Sequence, residues 1–392
     1  MISPEEAQAR ILALGAPVSV EAVPVLAAAN RWAASDLTAL RTQPARDLSA
    51  MDGYAIHFAD LPGPWRVIGE SAPGSPFMGR IGTGEAVRIF TGAAVPVGAD
   101  TVVMQENIAR QGTDITLTGD APAFQSAHVR CAGSDFGQGT RLISAGDALS
   151  PAALALAVMG GYASLDVRRR IRVAIVSTGD ELVLPGTDAG ADWLPNSNAP
   201  MLAAMLGVLP AEIIDLGIVP DDPDALAVAF GRAHDCDILV TSGGASVGDH
   251  DLVRPVLLSL GATLDFWKVA MRPGKPVMAG KLGQTIVLGL PGNPVSAFVT
   301  ATLFLLPLVR ELSGARDALP HRIAAICNTQ MPAVGLRSDF IQSRWSGSAL
   351  CPLPSTDSGV LSNLARADAL IVRPATASAL AAGAQVEAIL LQ

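Results

Sequence analysis

Two kinds of charged residue could do chemistry in this chain. Glu181, Asp221, Asp249 and Asp251 each stand shortly after an apolar run, a spacing that gathers carboxylates over one edge of a sheet. Oxygen ligands of this kind suit Mg²⁺, which commonly joins one or two carboxylates to substrate phosphates. The opposing charge lies in Phe266-Trp267-Lys268-Val269-Ala270-Met271-Arg272-Pro273-Gly274-Lys275-Pro276, where prolines stiffen a segment carrying Lys268, Arg272 and Lys275. Arginine grips a phosphate or other oxyanion with a bidentate fork, and lysine holds it as a point charge. Between these sets runs Thr241-Ser242-Gly243-Gly244-Ala245-Ser246-Val247-Gly248-Asp249-His250-Asp251. Paired glycines let backbone approach a ligand, and free N–H groups at a helix start attract anions. The five histidines are scattered and there is no Gly-x-Ser-x-Gly, so a nucleophile–base pair is missing. The residues favour electrostatic, metal-assisted chemistry on a phosphate over acyl transfer.

Any one of these carboxylates alone reads as a helix cap or a solvated loop residue. Their common position relative to strands makes them a set. Residues 171–176, 211–219, 238–240 and 285–290 read as buried strands, each followed by a polar or glycine-containing turn and then a helical segment. Such alternation predicts a parallel, doubly wound sheet with right-handed crossovers. The turns at the carboxyl ends then meet over one crevice, where ligands bind. Elsewhere the text changes character. Ser3-Pro4-Glu5-Glu6 starts a helix, and two helical segments are expected up to about Leu37. Short strands punctuated by Gly and Pro fill residues 65–117, and 152–159 is an Ala/Leu helix. From His321 onward short β-like runs return. The expected organisation is an α/β multidomain chain. It has a discontinuous helical domain (1–43 and 130–168), a β insert (44–129), a doubly wound domain (169–316) and a C-terminal barrel-like β domain (317–392).

Composition narrows the function. With 392 residues there is room for several domains, and the net charge of −9 with few aromatics argues against a nucleic-acid surface. Half the residues are hydrophobic, but much of that is alanine. The longest apolar stretch, 297–309, is short of the roughly 20 residues of a spanning helix and contains Pro307, so a buried helix is expected and no membrane association. The N-terminus lacks the pattern of a signal peptide. Cys131, Cys236, Cys327 and Cys351 form no C-x-x-C pair, which argues against structural zinc and for a reducing, cytoplasmic setting.

Six motifs together resemble the molybdopterin molybdenumtransferase family, which includes MoeA and the gephyrin E-domain. They are Ser49-Ala50-Met51-Asp52-Gly53-Tyr54-Ala55; Thr91-Gly92-Ala93 with Val95-Pro96; Ser177-Thr178-Gly179-Asp180-Glu181-Leu182; Ser242-Gly243-Gly244 through Asp251; Arg272-Pro273-Gly274-Lys275-Pro276; and Leu290-Pro291-Gly292-Asn293-Pro294-Val295-Ser296. The resemblance implies a homodimer whose active site joins the doubly wound domain of one subunit to the β insert of the other. It also implies a reaction in which adenylylated molybdopterin, molybdate and Mg²⁺ give molybdenum cofactor and AMP. The substrate would arrive from the adenylyltransferase and the product leave to apo-molybdoenzymes. By motif, Asp52, Thr91, Asp135, Glu181 and Asp251 are implied as catalytic, with Glu181, Asp221 and Asp251 at the metal. Pterin, phosphate and molybdate are implied to be held by Thr178, Ser242, Gly243, Gly244, Ser246, Gly248, Lys268, Arg272, Lys275, Pro291, Asn293, Pro294, Arg337 and Ser358. Two stretches depart from the family pattern: Asn196-Ser197-Asn198-Ala199-Pro200 lacks the expected cation, and the stretch after Ser358 lacks a histidine. A pterin-binding delivery scaffold and a molybdopterin adenylyltransferase are the competing readings.

Overall fold

A computed structural model describes residues 1–188, 190–244, 252–354, 357 and 359–391. Two units are present: Met1–Ser35 with Ala145–Ser150 and Leu165–Gln392, and Asp36–Ser144 with Pro151–Ser164.

The first unit is organised by six strands: β1 (Ile171–Thr178), β2 (Ala211–Val219), β3 (Ile238–Ser242), β4 (Thr263–Phe266), β5 (Met278–Leu282) and β6 (Thr285–Leu290). They lie in the order β2-β1-β3-β6-β5-β4. Both faces are covered. Ile171, Val173 and Ile175 of β1 enter one core cluster, while Ala174 and Val176 enter another on the opposite face, as strand alternation requires. The sheet is mixed where the sequence suggested a parallel one: β2, β1, β3 and β6 are parallel, β5 runs antiparallel to β6, and β4, antiparallel to β5, returns to the common direction. The cause is local. Leu282 pairs with Thr285 across a two-residue turn, which joins antiparallel strands and leaves no room for a crossover.

β1 has β2 on one side and β3 on the other, so the chain leaves β1 in one direction and returns to its far side. The carboxyl ends of β1 and β3 therefore bound the crevice at the switch point. At the opposite edge Arg169 grips Asp237 with two hydrogen bonds of 2.7 Å, pinning the start of β3.

Helices cover this sheet. Pro4–Leu12 is capped by Ser3, whose Oγ accepts the Glu6 N–H at 3.1 Å, and it sends Ala7 and Ile11 into the core. The second N-terminal helical segment is not formed: Val20–Pro24 is a strand and Val25–Ala28 a 3₁₀ turn. β-Branched Val20 and Val23 with Pro24 disfavour a helix there. Pro294–Leu312 is the one helix among the described residues long and apolar enough to cross a membrane, and 78% of it is buried, as in a core helix. A π-turn at Ala301–Leu305 precedes Pro307, which cannot donate to the preceding turn.

Five further strands, Arg322–Cys327, Ser338–Ser346, Ala349–Pro352, Ala369–Arg373 and Ala384–Leu390, close into a barrel. Met271–Arg272 adds to it in parallel beside Ser338 and Asp339. Phe340, Leu370, Val372 and Ile389 of the barrel join the same buried cluster as Val173 and Val240.

The second unit holds another six-stranded sheet, in the order Thr101–Met104, Gly53–Ile56, Glu85–Ile89, Trp65–Ser71, Asp114–Leu117, Ile108–Gln111. Gly53 is forced by packing: a Cβ there would lie 1.9 Å from the Val103 carbonyl oxygen of the neighbouring strand.

Candidate anion-binding site

The crevice of the first unit is built from four turns at the carboxyl edge of β1, β2, β3 and β6. β1 ends in Thr178 and is followed by Gly179 and Glu181; after β2 comes Asp221; after β3, Gly243 and Gly244; after β6, Pro291, Gly292 and Asn293. The turns hold one another. Ser177 pairs with Ser242 in the sheet, the Gly243 N–H donates to the Leu290 carbonyl at 3.3 Å, and the Asp221 N–H donates to Asp180 Oδ1 at 3.0 Å. Gly243 has φ +99° and Gly244 +61°. A Cβ on Gly243 would lie 2.5 Å from the Thr178 carbonyl oxygen. Only glycine lets this turn pass so close to β1. Asn293 precedes the Pro294 helix and its carbonyl accepts the Ala297 N–H at 2.9 Å.

The hydroxyls and amides here are deeply buried: Thr178 is 5% exposed, Ser242 2% and Asn198 7%. Asn198 Nδ2 donates to Ser242 Oγ and to the Gly292 carbonyl, each at 2.7 Å. Thr178 Oγ1 and Asn198 Oδ1 are buried with no hydrogen-bond partner among the described residues. Orphaned polar atoms at such a position mark a place where a ligand or water completes the set.

In the same unit, the cationic segment follows β4. Lys268 Nζ lies 4.3 Å from the Trp267 ring centre and Arg254 Cζ 4.7 Å from it, so one indole face system carries two cations. Lys275 is exposed. Arg272 is engaged by the barrel: its Nε and Nη2 donate to the two oxygens of Asp339 at 3.0 and 2.7 Å. Arg337 stands two residues from that pair and is half-buried. Asp339 was not singled out by sequence, since nothing local links it to a segment 67 residues away.

In the second unit, Asp52 and Thr91 are brought together. Asp52 Oδ1 accepts the Thr91 N–H at 2.8 Å and the Thr91 hydroxyl at 2.9 Å. Those two bonds, the backbone one first, hold the carboxyl below its ordinary 3.8, with the nearby Arg88 charge adding to the effect. Arg88, unremarked in the sequence reading, is fixed by the Gly53 carbonyl at 2.9 Å, by Gln105 Oε1 at 2.6 Å and by the rings of Tyr54 and Phe90. Asp135 is exposed and its N–H donates to the Gln43 carbonyl at 3.1 Å. Ser246, Gly248, Asp249, Asp251 and Ser358 lie outside the described residues.

A depressed folded-state pKa keeps Asp52 ionised throughout the range above 3.8, and that contribution is lost as pH falls through the lower folded value. Thr91→Val keeps the backbone bond and removes the hydroxyl. Its expected result is an Asp52 carboxyl titration, followed by ¹³C NMR, that moves up toward 3.8. An unmoved midpoint would show that the hydroxyl does not hold this charge.

The first unit thus defines a doubly wound α/β protein whose switch-point crevice is lined by a glycine turn and buried hydroxyls. Comparison with known proteins narrows the class. Residues 2–161 match the model of the MoeA N-terminal region (domain I and II), 174–311 that of a probable molybdopterin binding domain, and 324–391 that of the MoeA C-terminal region (domain IV). A molybdopterin molybdenumtransferase of Haemophilus influenzae is 36% identical, over 87% of this chain and 85% of that one. One from Nostoc sp. is 35% identical, over 93% and 87%. The crystal structure of a molybdopterin biosynthesis MoeA protein from Pyrococcus horikoshii superposes with a TM-score of 0.81 at 28% identity, covering 100% of this chain and 99% of that chain. The chain belongs to the molybdopterin molybdenumtransferase family.

Proposed function

We propose that this protein transfers molybdenum from molybdate to adenylylated molybdopterin, giving molybdenum cofactor and releasing AMP. The observation that carries the reading is the junction of Thr178, Ser242 and the Gly243-Gly244 turn at the switch point of the sheet. There hydroxyls and close backbone can grip a phosphate. Lys268 and Lys275 supply positive charge for molybdate and the pterin phosphate, while Arg272 is oriented by Asp339. Pro291 and Pro294 stiffen the turn opposite.

Mg²⁺ belongs to the same proposal. Among the described residues no cluster of three or more His, Cys, Asp or Glu is placed to hold a metal. Two carboxylates on adjacent turns, Glu181 and Asp221, nevertheless fit an ion that takes its remaining oxygens from substrate phosphates and water. When bound, it would neutralise charge on the phosphoanhydride as AMP leaves.

We further place the active site between subunits of a homodimer, with Asp52, Thr91 and Asp135 facing the partner's crevice. Helix Pro151–Met159 supports self-association: its nine residues are all apolar, yet only Ala157 is buried. A reducing cytoplasm suits the four free cysteines.

The test is incubation of the purified protein with adenylylated molybdopterin, Mg²⁺ and molybdate, following AMP and reconstitution of an apo-molybdoenzyme. AMP release that depends on molybdate and activates the apoenzyme is expected. Tight binding of the pterin nucleotide with no AMP release would favour a delivery scaffold. Formation of the pterin nucleotide from ATP would favour the adenylyltransferase.

A further inference from the structure

We infer that Asn198 is a positioning residue for the anion site, one that makes Ser242 a hydrogen-bond donor toward the pterin phosphate. The inference deepens the site proposed above and rests on it.

Asn198 opens the helix Asn198–Leu206, which lies in the crossover from β1 to β2. Its amide nitrogen carries two hydrogens, and both are used: one goes to Ser242 Oγ and one to the Gly292 carbonyl. The orientation of the amide is fixed by chemistry. A carbonyl only accepts, so the group facing Gly292 must be the NH₂.

Two consequences follow. Ser242 Oγ receives a hydrogen bond from Asn198, and among the described residues its own O–H has no acceptor. A hydroxyl held as acceptor on one side presents its proton on the other, which is what an anion requires. Meanwhile the Gly292 carbonyl, whose partial negative charge would oppose an anion beside the Gly243 turn, is tied to the amide. A Cβ on Gly292 would approach Gly243 Cα at 3.4 Å, so the two turns are in contact there. One buried amide thus sets the polarity of both turns. Asn198 Oδ1, buried without a partner among the described residues, is the part of the side chain that packing alone does not explain.

Asn198→Asp tests this with almost no change of shape. The introduced carboxylate has no hydrogen for Gly292, turns the Ser242 hydroxyl back toward itself, and adds negative charge at the anion site. Binding of molybdopterin, titrated anaerobically at about pH 7.5, is expected to weaken at least tenfold, as for other lost bonds to a charged group. A buried carboxyl has a raised pKa, so at about pH 5.5 it is protonated, loses its charge and can donate one hydrogen again. The variant should then recover to within about threefold of wild type measured at the same pH. In a Ser242→Ala background the same substitution should cost less, because the part of its effect that runs through the hydroxyl is already gone.

Wild-type affinity in Asn198→Asp at both pH values, or equal weakening with and without Ser242, would overturn the assignment and leave Asn198 a structural strut. Failure of the wild-type protein itself to bind molybdopterin would remove the site reading first. If Asn198→Asp does not fold, Asn198→Ser with and without Ser242→Ala gives the same cycle.

Discussion

Asp52→Asn protein is expected to fold with an unchanged melting temperature and to turn over about a hundredfold to a thousandfold more slowly, the usual cost of losing a charged catalytic group. The geometry permits so clean a separation. Asp52 is held through one oxygen, which accepts both Thr91 bonds. An asparagine keeps its Oδ1 in that place, so only the outer oxygen and the charge are lost. Nothing buried is disturbed, since the carboxyl is at the surface of its unit. The same substitution also tests the dimer. If Asp52 serves the crevice of the partner subunit, an equal mixture of Asp52→Asn and Glu181→Gln subunits regains one intact site in each heterodimer. With random pairing that amounts to about one quarter of the wild-type rate. Subunits that exchange, as shown by mass, yet stay inactive would mean that Asp52 and Glu181 act on the same chain's substrate or on none.

What could be read from sequence divides along a physical line. Apolar β-branched runs announce strands, so 211–219 and 285–290 coincide with β2 and β6 residue for residue, although only β6 is buried throughout and β2 is a half-buried edge strand. The turns that follow them inherit their position from the strands. That is why Thr178, Ser242, Gly243 and Asn293 fall on one edge. Interactions set by distant packing left no such trace. Arg272 read as a free cation, yet its bidentate partner Asp339 is supplied by the barrel strand that lies beside Met271–Arg272. Asn198 was not singled out; only the stretch around it was noted, for lacking a cation, and the residue's value depends on Ser242 and Gly292, 44 and 94 residues away. Strand direction at β5 was hidden for another reason: a two-residue turn looks like any polar break until its partner is known.

Gly243→Ala is expected to abolish molybdopterin binding, with affinity falling at least a hundredfold, because two penalties meet at one atom. At φ +99° an alanine is already strained by about 1–2 kcal/mol. Its methyl would also stand 2.5 Å from the Thr178 carbonyl oxygen and 2.8 Å from Thr178 Oγ1. Neither neighbour can give way, since β1 is paired with β2 on one side and β3 on the other. The turn must therefore move, and with it the bond from the Gly243 N–H to the Leu290 carbonyl that ties it to the β6 turn. Gly283 provides the control. It also has positive φ, +61°, in the hairpin between β5 and β6, but a Cβ there meets nothing within 4 Å. Gly283→Ala should pay only the conformational cost, lowering the melting temperature by a few degrees, roughly 2–4 °C per kcal/mol, with ligand affinity intact. Equal loss of binding in both variants would mean that general destabilisation, and not the approach of the turn to Thr178, explains the effect. Intact binding in Gly243→Ala would place the phosphate elsewhere on the sheet edge.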